Sequence, residues 1–241
     1  MRPYLIAHRG LANAPENTLP SFEMAIREGI DGFELDVQQT KDAKIVVMHS
    51  GSVNLTTDGR GLIKFMTAEE VRSLDAGIKF GWKGIKVPFL EEVLDKFGNS
   101  LIEIEIKHGS RFYPNIEERV LKTVKDRKML EQVKFISFDI TAIHKILRLE
   151  NKAITGLAVI GRPEWYLKIL KNLGITWIHV NYRVVGNLEG IHKEGIMVSA
   201  GIVNDERIIS KMIDIGVDEI TSDYPDKLSK FRSGERFTSW T

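Results

Sequence analysis

Cysteine is absent from the 241 residues, which excludes disulfides and thiolate metal ligands alike. No apolar run approaches the roughly 18 residues of a membrane-spanning helix, so no membrane span is expected. Neither sign of charge dominates: 34 Lys and Arg stand against 33 Asp and Glu, a net charge of +1. That balance gives no reason to expect nucleic acid or an acidic membrane surface as the main partner. No Pro-, Gly- or Ser-rich linker divides the chain, and no GxGxxG fingerprint of a dinucleotide site is present. The start, Met1-Arg2-Pro3, runs directly into a strand-like segment without an apolar signal region or cleavage site, so the expected location is the cytoplasm.

What the chain does contain is alternation. Hydrophobic residues make up 43%, enough for a sizeable core. Eight short apolar runs read as strands: 5–7, 32–37, 101–106, 133–137, 155–159, 177–180, 196–199 and 219–222. Helical patterns follow most of them, for example 18–28, 115–128, 140–150 and 205–215. Strands apolar on both faces, alternating with helices, argue for a parallel sheet. Eight such units in this length argue for closure into a (β/α)8 TIM barrel, one α/β domain over residues 1–241. Asn17 or Thr18 is placed to cap the first helix, and Pro20 suits its first turn.

One segment breaks the pattern. Between Asp36 and His49 no helix fits, only a tight turn near Asp42, so the second strand overshoots and returns as a hairpin. Pairing mirrored about Asp42 and Ala43 sets His49 opposite Asp36. Residues 50–88 are too long for a simple loop and read as a small insertion after strand two, with a turn at 57–61 and a short helix near 68–74.

Catalytic groups of such barrels sit at the C-terminal strand ends. Strand one ends in His8-Arg9-Gly10; strand two carries Glu34 and Asp36 on one face; strand three carries Glu103, Glu105 and Lys107 on one face. Converging carboxylates repel by roughly 3 kcal/mol per pair at about 5 Å and an effective dielectric near 20. Arg9 and Lys107 offset only part of this, and a divalent cation resolves the rest. All-oxygen ligands favour Mg2+ or Ca2+ over zinc. His8 and His49 have the intrinsic pKa for general acid and base work near neutrality. Metal, two histidines, Arg and Lys around one cavity suit phosphodiester cleavage. Glu103 and Glu105 compete for the third ligand position about 6–7 Å apart along the strand, and Glu105 lies nearer the mouth.

These residues fall into recognisable segments: His8-Arg9-Gly10, Pro15-Glu16-Asn17-Thr18, Glu34-Leu35-Asp36-Val37, Val46-Val47-Met48-His49, Glu105-Ile106-Lys107 and Ser222-Asp223-Tyr224-Pro225-Asp226. In order and spacing they resemble the signature of glycerophosphodiester phosphodiesterases, as do Thr56-Thr57-Asp58-Gly59, Leu74-Asp75-Ala76-Gly77 and the stretch 87–94. The resemblance covers nearly the whole chain. It implies hydrolysis of a small-molecule glycerophosphodiester to glycerol 3-phosphate and an alcohol. It further implies a divalent metal on Glu34, Asp36 and Glu105, His8 and His49 as the acid/base pair, and Arg9 and Lys107 at the phosphate. A lysophospholipid is the alternative substrate, and a non-catalytic binding barrel would have lost a histidine or a ligand. The chain departs from the family pattern at Ser50 (usually Asp), at Leu55 (usually Arg), at Glu103, and at Gly201-Ile202-Val203-Asn204, where Trp-Thr-Val-Asn is usual.

Bland readings compete for several residues. Glu16 belongs with the substrate-side candidates if it orients a histidine, and otherwise holds the loop before the first helix. His179 reads as interior packing, and His144 and His192 lie in helical patterns. Phe80 and Trp82 fit the insertion's own small core. The polar tail from Arg232 frays unless Phe237 or Trp240 docks.

Overall fold

The computed structural model of the protein describes residues 2–240. Among these described residues nine strands form: β1 (Tyr4–His8), β2 (Gly32–Gln39), β3 (Ile45–Val47), β4 (Leu101–Ile106), β5 (Val133–Ser137), β6 (Ile154–Ala158), β7 (Trp177–Asn181), β8 (Met197–Gly201) and β9 (Glu219–Ser222). All but β3 are parallel neighbours in the order β1-β9-β8-β7-β6-β5-β4-β2, and β1 pairs again with β2 to close the barrel. The expected (β/α)8 barrel is therefore observed. β3 extends β2 as an antiparallel ribbon.

Period-two alternation sorts the strand residues. One set, including Leu5, Ala7, Phe33, Leu35, Ile104 and Phe135, packs outward against helix residues such as Phe22, Ala25, Val120 and Ile143 in the main core. The other set points inward and builds layers, as barrel interiors require. At the floor, Tyr4, Ile6, Leu101 and Trp177 cluster with Trp240. The tail therefore docks: Trp240 is 2% exposed, its Nε1 donates to Gln132 O at 2.9 Å, and Phe237 packs beside Tyr4 at 4.4 Å between ring centroids. Above the floor lies a polar layer of Lys134, Glu103, Glu219, Ser199 and His179, and above that the mouth.

The first helix, Leu19–Arg27, keeps Pro20 in its first turn and buries Phe22 and Ala25. Neither proposed cap operates through its side chain. Thr18 Oγ1 donates to Pro15 O at 2.6 Å, and Asn17 is drawn to Asp36 instead. Stretch 50–88 holds a helix at Ala68–Ser73 with a capping box from Thr67 and Glu70. Its apolar cluster joins Val53, Ile63, Val71, Ala76 and Val87 to Val46 and Met48 of the hairpin, with Phe80 and Trp82 outside it.

Candidate functional site

His8 ends β1, and the next two residues take left-handed backbone conformations, Arg9 at φ 55° and Gly10 at φ 97°. Position 10 requires glycine on packing grounds too, since a Cβ there would lie 2.2 Å from Ser21 Oγ. This turn folds Arg9 over the end of β2. Its backbone N–H donates to Glu34 Oε2 at 3.1 Å, and its guanidinium Nε lies 3.2 Å from Asp36 Oδ2. Asn17 clamps the same strand: Nδ2 donates to Asp36 Oδ2 at 2.8 Å, and Oδ1 accepts from the Asp36 backbone N–H at 3.1 Å.

Register brings the acids level. Asp36 pairs with Glu105, Glu34 with Glu103, and His8 with Glu34. One oxygen each from Glu34, Asp36 and Glu105 lies within 4.8 Å of the others, and all three residues are buried. Lys107 Nζ stands 2.9 Å from Asp36 Oδ1 and 2.6 Å from Glu105 Oε1. Glu34 is left over. Its Oε1 is buried without a hydrogen-bond partner, an expensive position for a carboxylate oxygen.

The protonation preferences follow from this arrangement. Burial raises the Glu34 carboxyl well above the ordinary range, and the Asp36 and Glu105 carboxylates push it the same way. Burial also raises Glu105, reinforced by Asp36 and only partly opposed by Lys107. Asp36 moves the other way: burial raises it, but Lys107 and Arg9 outweigh burial and hold it low. A group of three carboxylates and two cations thus favours taking up one more positive charge.

His49 is half-buried and lowered to about 4, by burial first and then by Arg9 and Lys107, against the pull of Asp36. It reaches the mouth differently from the expected pairing. The observed register sets Val37 opposite Val47, and Met48 N–H donates to Asp36 O at 2.9 Å. The turn has three residues rather than two: Thr40 N–H donates to Lys44 O, with Ala43 at φ 66°. An odd turn shifts the ladder by one residue, so His49 lies one position beyond the ladder partner of Asp36. Gln38 Nε2 donates to the His49 carbonyl at 2.8 Å and Tyr113 Oη donates to Gln38 Oε1 at 2.7 Å, fixing that backbone from below.

Glu16 Oε2 lies 3.6 Å from Arg9 Nη1, so its partner is the arginine rather than a histidine. Glu103 points away from the carboxylate cluster. Its Oε1 lies 3.0 Å from Lys134 Nζ and 3.1 Å from His179 Nε2, and Lys134 also pairs with Glu219. Glu103, His179 and Glu219 themselves have metal-like spacing, but the Lys134 ammonium already supplies a cation there. His179 is an interior side chain beside this pair, and burial together with the Lys134 ammonium holds it well below its ordinary range.

Sequence reasoning placed Asp223 and Asn204 within compared segments but gave neither a role. Asp223 directly follows β9, the strand beside β1. Its Oδ1 accepts from His8 Nδ1 at 2.7 Å, and its Oδ2 accepts from Asn204 Nδ2 at 2.7 Å. The usable signal was register: Ala7 pairs with Ser222, so the next residues on the two strands are His8 and Asp223.

Among the described residues no helix is long and apolar enough to cross a membrane. The chain matches the profile of the glycerophosphoryl diester phosphodiesterase family over residues 8–227. A glycerophosphodiester phosphodiesterase of Caldanaerobacter subterraneus subsp. tengcongensis is 37% identical over 235 residues, covering 95% of this chain and 97% of the relative. One of Bacillus altitudinis is 35% identical over 241 residues, covering 95% and 97%. Among solved structures, an Oleispira antarctica phosphodiesterase in complex with the product sn-glycerol-3-phosphate superposes with a TM-score of 0.89 at 28% identity, covering 95% of this chain and 96% of that one.

Proposed function

The chain belongs to the glycerophosphodiester phosphodiesterase family, and from that membership we propose that it hydrolyses small glycerophosphodiesters to sn-glycerol 3-phosphate and an alcohol. In this reading Glu34, Asp36 and Glu105 hold a divalent cation, and His8 and His49 move the protons. The observation that carries it is the buried carboxylate triad, with oxygens within 4.8 Å of one another and one Glu34 oxygen unpartnered. The donors are all oxygens, which fits Mg2+ or Ca2+. When bound, such an ion polarises a phosphate oxygen and stabilises charge on phosphorus.

The chain's own residues supply the remaining chemistry. Arg9 and Lys107 both lie within ion-pair reach of Asp36, so a phosphate entering beside the triad meets two cations already ordered. Glu16 steadies Arg9 from its outer side. His49, held to about 4, is neutral at pH 7 and can accept a proton. His8 has Nδ1 engaged by Asp223, which leaves Nε2 for exchange with substrate or water. The same proposal takes residues 1–241 as one catalytic domain carrying 50–88 as an insertion, and puts the enzyme in the cytoplasm.

Glycerophosphocholine with Mg2+ or Ca2+ should yield sn-glycerol 3-phosphate and choline, and a chelator should abolish the reaction. Release of phosphocholine would show cleavage of the other ester bond and overturn the assignment.

A second substrate is favoured by one specific feature. Leu55, Phe65, Phe112, Phe138, Ile160 and Trp165 are exposed; the last four lie in the connections that follow β4, β5 and β6, Phe112 and Trp165 within short helical turns there. Lys64 bridges Phe65 and Phe112, and a groove of about 540 Å³ runs from Glu105 and Lys107 to Phe112 and Phe138. That apolar side of the mouth suits the acyl chain of a lysophospholipid. Lysophosphatidylcholine run beside glycerophosphocholine decides between them: a higher kcat/KM for the lipid selects the second reading.

A further inference from the structure

We propose that Asp223 and Asn204 act as a positioning pair that keeps the hydrogen of His8 on Nδ1, so that Nε2 is the nitrogen that exchanges a proton. The inference rests on the reading of His8 as a proton-transfer group and adds two residues that do not themselves touch the substrate.

The orientation of Asn204 is forced. Its Oδ1 accepts from the Asp223 backbone N–H at 3.0 Å and from Ser222 Oγ at 3.1 Å. A backbone N–H can only donate, so the amide oxygen must lie on that side, and the amide nitrogen faces Asp223 Oδ2 at 2.7 Å. One carboxylate oxygen of Asp223 is thereby occupied by a donor. The other, 2.7 Å from His8 Nδ1, can only accept, so Nδ1 carries the hydrogen. Burial raises the Asp223 carboxyl, but the hydrogen bonds from His8 and Asn204 outweigh burial and hold it below the ordinary range, so it stays an acceptor.

The constraint serves either direction of proton flow. A neutral His8 that accepts a proton needs its lone pair on Nε2, hence its hydrogen on Nδ1. A charged His8 that donates one carries hydrogens on both nitrogens. Neither state is available with Nδ1 bare.

The polarity of the pair makes a sharp test. In Asp223→Asn, Asn204 still donates from Nδ2, so the new amide must present its oxygen to Asn204 and its NH2 to His8. That donor forces a bare Nδ1 and a hydrogen on Nε2. We expect kcat on glycerophosphocholine to fall about 100-fold or more with little change in KM, and ring 15N NMR to report the switched tautomer. Adding Asn204→Asp reverses the pair. The carboxylate at position 204 keeps one oxygen on the backbone N–H of residue 223 and accepts from the new amide with the other. The amide oxygen then faces His8 and accepts from Nδ1 again at unchanged net charge. The double variant should recover at least about tenfold over Asp223→Asn and restore the wild-type tautomer, a rescue that a merely structural role does not produce. Asp223→Asn with wild-type kcat and its hydrogen still on Nδ1 would overturn the proposal, as would a folded double variant with no recovery. If the double variant does not fold, the tautomer of Asp223→Asn decides alone. The NMR readout does not depend on turnover, so a wild type inactive on glycerophosphocholine would sink the functional reading and leave the relay separately judged.

Discussion

Glu34→Gln should stabilise the metal-free protein and destabilise it relative to wild type once metal is present. The substitution keeps shape and removes a charge from the one member of the triad that has no cation partner. Burial and two neighbouring carboxylates raise the folded-state pKa of Glu34 well above its ordinary value. A carboxyl raised in this way contributes stability that is fully present below its unfolded value, about 4.3, and is lost as pH rises toward the folded value. Over that window the wild type loses about 1.4 kcal/mol per pH unit relative to a neutral amide, or roughly 3–6 °C of Tm for a chain of this size. At pH 6 and below, where that loss is at most about 2.4 kcal/mol, saturating metal reverses the order, because a ligand at about 100 times its Kd adds about 2.7 kcal/mol to the protein that binds it. Calorimetry in EDTA between pH 5 and 8, repeated with excess Mg2+ or Ca2+, reads both effects. An advantage for Glu34→Gln that grows with pH in EDTA, and that metal inverts at pH 5–6, is expected. A variant less stable than wild type in EDTA at pH 8 would refute the electrostatic reasoning. A wild type whose Tm ignores both metals would remove the triad from consideration as a metal site.

Two further perturbations separate chemistry from scaffold. His8→Ala and His49→Ala should each lower kcat by about 10²–10⁴-fold with Tm nearly unchanged, since both lie at the rim; either variant keeping more than a tenth of wild-type activity demotes that histidine to positioning. Lys134→Met should cost about 3–5 kcal/mol, because it leaves Glu103 and Glu219 buried without their cation, while calorimetric titration should find metal affinity within about threefold of wild type; a variant as stable as wild type refutes the network's role.

The barrel was legible because its signals are periodic. Eight apolar runs spaced by amphipathic helices admit few topologies, and most observed strand ends fall within a residue or two of those expected. Glu34, Asp36 and Glu105 were equally readable, since alternation alone puts them on one face and register brings the two strands level. What escaped depended on single-residue geometry. The hairpin register turned on whether two or three residues make the turn, which hinges on Ala43 adopting a positive φ, a conformation with no compositional signal at alanine. Asn17 carried the features of a helix cap, yet its amide is spent on the Asp36 carboxylate and backbone, a demand visible only once β2 is in place. Asp223 and Asn204 belong to separate βα units; Asp223 meets His8 where β9 closes against β1, and Asn204 reaches that histidine only through Asp223, a juxtaposition that spacing along the chain does not encode.

The two acids of β4 show why local chemistry could rank candidates without explaining them. Glu103 and Glu105 share a strand face and both are raised by burial, Glu103 to about 8. Their neighbours separate them. Glu103 lies at the level where β5 and β9 contribute Lys134 and Glu219, with Lys134 held 3.8 Å from the Trp177 ring and 4.0 Å from that of Trp240. Carboxyl groups, ammonium and aromatic faces close that layer from the floor upward, so its compensating cation is part of the fold. Glu105 lies one step higher, where Lys107 is shared between two carboxylates and Glu34 has none. The lower layer is compensated internally and can be sealed; the upper one keeps an unmet demand for positive charge facing the mouth, where the proposed ion and phosphate would bind. Moving the site down by one layer would therefore require replacing Lys134, and the docked Trp240 that covers it makes that ammonium a structural element of the barrel.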